Sequence, residues 1–405
     1  MMEPARVVVT GIGAVSAAGV GIEALWWAAR TGKSCVAEAN LPHEGSNRVK
    51  IAAQLKTFQP EDFIDPKVLP YCDRFSQFAL VAADEALAQA GLDRGRRLGG
   101  RVGVVIGTAV GGITTIDELC FVELVMKGRT DPLAVPRIMG SAAASQVGMR
   151  YGCTGPTFGV TSACASGAQA IGIGAFLVRA GVVDQAIVGG SDSTITALNM
   201  RAWETLRVLT PDRSRPFSAG RNGMVLGEGA AVFLIESERS ARQRGAAPLA
   251  EIAGYGTSSD ACDIVRPDAE GAATAMRLAI EDAGLDPDGI DYVNAHGTGT
   301  VANDIAEADA LGRIFGRRLR ELPVSSTKPV HGHTLGAAGA VELAVTIMAM
   351  REGTAPPTIN WLGPDPKVDI DPVPNEARRV PMRAALSNSF AFGGINACLV
   401  VTRAE

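Results

Sequence analysis

The chain of 405 residues repeats itself. The segment EALAQAGLD, ending at Asp93, returns as LAIEDAGLD ending at Asp286, 193 residues further on. ASGAQAIGIGAFLVRAG, ending at Gly181, returns as AAGAVELAVTIMAMREG ending at Gly353, 172 residues further on. Gly167 with Gly339 and Arg179 with Arg351 keep that second offset without a gap. Two echoes in the same order point to an internal duplication and hence to two similar halves. The second pair opens on Ala and Gly, carries apolar residues at helical spacing and ends on Gly, which predicts two buried helices. Each member of the first pair leads through a linker into a β-rich run and a Gly-Thr loop, RVGVVIGTAVGG and IDYVNAHGTGT. Such runs, with QAIVGGSD and AAVFLIES, alternate with helical ones. The expected class is therefore α/β, strands sheathed by helices, with halves 1–250 and 251–405. Chemistry in such folds gathers at strand ends and helix starts, and here in the cleft between the halves.

Composition narrows the function. Hydrophobic residues make up 47% and charged residues 20%, the balance of a globular protein. A net charge of −5 gives no electrostatic case for nucleic acid or an anionic membrane. No window reaches the roughly 18 uninterrupted apolar residues of a membrane span. The N-terminal MMEPARVVVTGIGAVSAAGVG imitates a signal peptide, but Thr10, Gly11 and Gly13 interrupt it, and a strand followed by a turn is the better reading. Seven scattered cysteines without a CxxC pair argue against a disulfide framework or structural zinc, and for a reducing, cytoplasmic setting.

Cys164, in GVTSACASGAQAIG, stands where the first repeated helix begins. Of four histidines, His296 follows the apolar run IDYV, and His331 and His333 lie in STKPVHGHTLGAAGA, ahead of the second repeated helix. By the duplication, this second loop faces Cys164 across the cleft. His331-x-His333 lacks further ligands at recognisable spacing, so no metal site is expected. Lys328 and Glu342 flank the same loop and helix in apolar, small surroundings, which suggests a buried pair. VVVTGIGAVS nearly spells a dinucleotide fingerprint, but Ser16 replaces the third glycine and no ribose-binding acid follows. In LSNSFAFGGINACLVV, Phe390 and Phe392 straddle Ala391 before a Gly pair and a closing strand.

Taken in order, TSACASG, NAHGTGT, STKPVHGHTLGAAGAVE and FAFGGIN resemble the elongating beta-ketoacyl-[acyl-carrier-protein] synthases of fatty-acid and polyketide synthesis. The likeness runs over essentially the whole chain. It implies a thiolase-like fold of five αβαβα layers built from two duplicated halves. It further implies no bound cofactor, substrates carried on the phosphopantetheine of an acyl carrier protein, and a dimer, either of identical chains or with a chain-length-factor partner.

By the same resemblance, Cys164 is the nucleophile, its thiolate expected to gain from the helix start. The N–H groups of Cys164 and Phe392 match the oxyanion hole, and His296 and His333 match the pair that holds the malonyl thioester. Lys328 and Glu342 match an ion pair that organises the second histidine. Thr298 and Thr300 match pantetheine-binding threonines; Phe392 with Phe390 matches the gate, and Val110 an acyl-pocket wall. The chain departs from the common pattern at Ala391, Ile395, Ser218 and Asn222, and retains only Lys67 and Arg74 of a basic docking cluster. HGTGTVAND and SSTKPVHGH are closer to nodulation-type or polyketide enzymes. A thiolase would need a second cysteine in the Gly loop, where only the later Cys398 is near. An initiating synthase would have Asn at His333, and a non-catalytic chain-length subunit would lack Cys164.

Overall fold

The computed structural model describes residues 5–43, 46–92 and 95–404; Asp93, where the first echo ends, lies outside them. The first half supplies β1 (Val7–Ser16), α1 (Arg74–Gln89), β2 (Val102–Gly107), α2 (Ala142–Tyr151), β3 (Thr157–Val160), α3 (Ser166–Arg179), β4 (Gln185–Asp192) and β5 (Gly229–Ser237). The second supplies β6 (Ala250–Ser259), α4 (Ala269–Asp282), β7 (Tyr292–Asn294), α5 (Val301–Phe315), β8 (Val324–Ser325), α6 (Ala338–Glu352), β9 (Ala384–Ala391) and β10 (Ile395–Thr402).

Strand order expresses the duplication directly. One half runs β3-β2-β4-β5-β1 and the other β8-β7-β9-β10-β6, each with two parallel ladders followed by two antiparallel ones. The two sheets join where β1 meets β6, through the register pairs Val8–Glu251 and Val9–Ala250.

Three apolar cores separate five layers. Helices α1 and α2 cover one outer face, packing Phe75, Phe78 and Val147 against Val104, Ile106 and Val232. Helices α4 and α5 cover the other, with Met276, Ile280 and Leu311 against Val293, Leu386 and Val400. Between the sheets lie α3 and α6, whose Ile171, Val178, Val341 and Ile347 pack among Val188, Phe233, Leu399 and Val401. This αβαβα stack is the thiolase-like arrangement, and the middle core draws on both halves. Each fully buried Val, Ile or Phe in it contributes about 1.5–3 kcal/mol.

The middle helices explain the repeated glycines. Where α3 and α6 cross, a Cβ on Gly167 would lie 2.9 Å from the Gly336 carbonyl oxygen, and one on Gly339 only 2.8 Å from Ala168 Cβ. Both repeated helices begin on the same 172-residue offset, at Ser166 and Ala338.

One local reading changes. The glycines of VVVTGIGAVS do not form a turn, because β1 continues through to Ser16. Helix α1 presses so closely that a Cβ at Gly11 or Gly13 would lie 1.9 or 2.0 Å from the carbonyl oxygens of Ala86 and Ala82. Close helix–strand approach, and not chain reversal, demands glycine there.

Candidate active site

Cys164 sits in the short 3-10 turn Ala163–Ala165 that feeds α3. Ala163 has φ of 47°, a left-handed value that costs a non-glycine residue about 1–2 kcal/mol. Ser166 offsets this strain: its Oγ accepts from the Ser162 N–H at 2.9 Å and donates to the Ala163 carbonyl at 2.7 Å. The second half repeats the turn at Leu335–Ala337, where Leu335 also has φ of 47°. There Gly336 takes the place of the cysteine, and its N–H donates to Asp192 at 2.6 Å. The same carboxylate accepts from Thr108 Oγ1 at 2.6 Å and Ala109 N–H at 2.8 Å, tying the two halves together behind Cys164.

His296 and His333 arrive from the other half. His296 follows β7, and its N–H and that of Gly297 both donate to the buried Glu307 carboxylate, at 2.8 and 2.7 Å. His333 is held by its backbone, its N–H donating to Val225 O at 2.7 Å while its carbonyl accepts from Gly227 N–H at 2.9 Å. The rings stand edge to face with centroids 5.3 Å apart. One donor atom each from Cys164, His296 and His333 falls within 4.8 Å of the other two. His331 does not join them; its ring is bonded to Thr327 Oγ1 and to the Gly332 carbonyl.

Lys328 and Glu342 form the buried pair, and Lys328 Nζ also donates to the His296 carbonyl. The pair thereby braces the first histidine's loop directly, whereas the sequence associates it with the second. Helix α6 is buried all round from Ala338 to Met350. A lone carboxylate there would be costly, and the lysine offsets that cost. Even so, burial pushes Glu342 up to about 7 against the opposing pull of Lys328.

Cys164, His296 and His333 line a cavity of about 110 Å³. Thr298 and Thr300 line its walls, with their Oγ atoms 2.9 Å apart. Phe390 is buried edge-on against His296 at 6.0 Å, while Phe392 stacks on Trp203 at 5.7 Å. Val265, Arg266 and Pro267 also contribute to the lining. Val110 does not line this cavity and is 40% exposed, because Asp192 fixes the loop through Thr108, Ala109 and Val110; it is Ala109 that packs against the apolar cluster containing Cys164. Arg74 is consumed internally, donating to Glu228 and to the Leu55 carbonyl. Cys398 lies fully buried in β10, its Sγ 3.3 Å from Asn388 Oδ1, outside the cavity lining.

Electrostatics corrects one expectation. Burial pushes the Cys164 thiol up to about 12, with Lys328 pulling it down and Asp192 and Glu342 pushing it up further. Desolvation of a 6%-exposed thiol outweighs the gain from the helix start. Burial, with Lys328 adding to it, lowers both His296 and His333 well below the ordinary histidine range, His333 contributing at His296 and His331 at His333. The resting site therefore holds a neutral thiol and two neutral imidazoles. Below its pKa a thiol gains tenfold in thiolate per pH unit, so alkylation of Cys164 by iodoacetamide should climb about tenfold per unit from pH 7 to 9 without levelling. Rates followed by peptide mass spectrometry test this, and a plateau below pH 8 would return control to the helix start.

Several residues escape a reading by motif. Glu307 and Asp304 lie three apart on α5, directly after HGTGT, and both carboxylates turn inward. Asp304 accepts from Phe217 N–H at 2.8 Å and Gly299 N–H at 3.2 Å and faces buried Arg221 at 3.6 Å, fixing the Thr298–Thr300 loop. The i, i+3 spacing of two acids behind a glycine loop is the signal the sequence offers for them.

The similarity of this chain to characterised proteins agrees with its geometry. Residues 5–241 match the family model of the beta-ketoacyl synthase N-terminal domain, and residues 249–361 that of the C-terminal domain. Nodulation protein E of Rhizobium sp. (strain N33) is 45% identical over 97% of this chain and 98% of its own length. The 3-oxoacyl-[acyl-carrier-protein] synthase 2 of Staphylococcus aureus (strain COL) is 39% identical over the full length of both chains. Among solved structures, the ishigamide ketosynthase/chain length factor superimposes with a TM-score of 0.95 at 33% identity, covering all of both chains. With both domain models matched in order and a cysteine facing two histidines across the duplicated halves, the chain belongs to the beta-ketoacyl synthase family.

Proposed function

We propose that this chain condenses a cysteine-bound acyl group with a malonyl thioester to give a beta-ketoacyl thioester and CO2, both substrates being carried on the phosphopantetheine of an acyl carrier protein. The observation that carries this reading is the triangle of Cys164, His296 and His333 at the end of a cavity walled by Thr298 and Thr300. In the first half-reaction the Cys164 sulfur attacks the acyl thioester. The carrier thiolate leaves, and the cysteine proton passes to it. The Cys164 and Phe392 N–H groups receive the oxyanion, each such donor being worth about 3 kcal/mol in the transition state.

In the second, His296 and His333 donate N–H bonds to the malonyl thioester carbonyl. The C–C bond to the carboxylate breaks, CO2 departs and its electron pair becomes an enolate. The enolate carbon attacks the acyl-cysteine, and the cysteine sulfur leaves as a thiolate that takes a proton from water. Neutral imidazoles suit this step, since the charge they stabilise exists only in passing. Thr298 and Thr300 hold the pantetheine amides, Phe392 on Trp203 gates the chain, and Phe390 steadies His296. Lys328, Glu342, Glu307 and Asp304 act through the loops they hold and are positioning residues.

The two halves, 1–250 and 251–405, contribute nucleophile and histidines respectively. Exposed Val110 bounds the acyl pocket once a second subunit covers it, in a homodimer or beside a chain-length partner. The heterodimer has support in the ketosynthase/chain length factor neighbour, and carrier docking in a second neighbour, titled a type II PKS acyl-carrier protein in complex with its ketosynthase, at a TM-score of 0.91 and 30% identity over 99% of this chain and all of that one. Seven free cysteines, and no helix among the described residues long and apolar enough to cross a membrane, support a cytoplasmic setting.

Intact-protein mass spectrometry after mixing with acyl carrier proteins of several chain lengths tests the reading. The expected adduct maps to Cys164, and its chain-length profile reports the acyl pocket. An acyl group mapping to any other residue would overturn the assignment.

A further inference from the structure

Three donors of one chemical character meet at the cavity end. The Cys164 thiol and the two imidazoles offer one sulfur and two nitrogens within 4.8 Å of one another, all on buried residues. Nδ1 of His296 and Nδ1 of His333 are both buried without a hydrogen-bond partner among the described residues. No carboxylate belongs to the triangle; Glu342 is occupied by Lys328, and Asp192 by the N–H groups of Ala109 and Gly336.

Sulfur and imidazole nitrogen together select borderline-soft cations and reject Mg2+ and Ca2+, which require oxygen. A tetrahedral Zn2+ with bonds near 2.3 Å to sulfur and about 2.0–2.1 Å to nitrogen separates its donors by roughly 3.3–3.6 Å. From donors within 4.8 Å of one another, a closure of at most about 1.2–1.5 Å gives that spacing. The fourth position would face the cavity and hold water.

We propose that Cys164, His296 and His333 also capture one thiophilic divalent cation, of which Zn2+ is the type, and that capture competes with acyl loading. The thiol releases its proton to solvent as the sulfur–metal bond forms, and the hexaaquo ion sheds five waters, keeping one beside the three protein donors in a tetrahedral shell. An acylated sulfur has no thiolate to offer, so acyl-enzyme and metal-enzyme exclude one another. The competition rests on the acyl-transfer reading above, while the metal site itself rests only on the donor set.

The test uses the full chain with the exposed thiols removed by Cys120→Ser and Cys262→Ser. Titration with Co2+ alone should give one equivalent bound and a sulfur-to-cobalt absorption band in the near ultraviolet, displaced by Zn2+ and untouched by excess Mg2+. Iodoacetamide alkylation of Cys164 should abolish the band, and His333→Ala should weaken binding by about 100-fold or more, at or beyond the effect of losing an outer-shell partner. Absence of the band, or its survival after Cys164 alkylation, overturns the proposal. Acyl loading is measured in parallel with EDTA present. An adduct without a cobalt band sinks only the metal site, whereas a cobalt band without an adduct upholds the metal site and removes support from the acyl-transfer reading.

Discussion

Cys164→Ala should lower acyl transfer by about 10⁴-fold or more while malonyl decarboxylation continues. Without the sulfur no covalent acyl intermediate forms, and condensation has no electrophile. In the proposed mechanism decarboxylation asks only for N–H donors on the thioester carbonyl, the role assigned to His296 and His333 on the opposite half. The enolate, lacking an acyl partner, takes a proton from water and leaves an acetyl thioester. The variant should remain folded, since Ala replaces a small buried side chain whose turn is held by Ser162 and Ser166. Adduct formation by intact mass and CO2 release from a malonyl carrier separate the two activities. Persistent condensation would remove Cys164 from the mechanism.

That separation follows from the duplication, which is legible in the residues themselves. Glycine spacing at Gly167 and Gly339 puts the two middle helices on one offset, and the fold sets them back to back. It also sets Leu335 and Gly336 where Ala163 and Cys164 stand in the other half, so one strained turn serves twice. In one half it presents sulfur; in the other it lets Asp192 bind a backbone N–H. Strain itself leaves no trace in the sequence, because Ala and Leu are poor markers of a left-handed turn.

The misreadings have a common physical origin. Gly11 and Gly13 suggest a turn because a one-dimensional pattern cannot report that α1 lies against the strand. Arg74 suggests a docking cation, yet Glu228, 154 residues away, captures it. The helix start, visible in sequence, favours a readily ionised thiol, whereas burial, which dominates, depends on every surrounding layer. Glu307 and Asp304 pass unnoticed although their spacing is in view, since surface acids at i, i+3 are ordinary on helices. Local chemistry is thus readable from the chain, and long-range desolvation and capture are not.

His333→Ala should leave acylation of Cys164 intact and slow malonyl decarboxylation by about 100–1000-fold, the effect of removing one donor from a developing oxyanion. The loop should hold its place, because His333 is fixed by its own backbone to Val225 and Gly227. A melting curve close to that of the parent would verify this. His333→Asn returns an N–H donor on a shorter side chain, so its rate should fall between Ala and the parent. Since His333 and His296 are both lowered well below the usual range by burial, they stay neutral donors through the ordinary histidine range. Decarboxylation by the parent should accordingly show no imidazole ionisation near pH 6.5. Loss of Cys164 acylation in a folded His333→Ala variant would move this histidine into the first half-reaction, and an inflection at pH 6.5 would mean that the pocket admits enough water to let it charge.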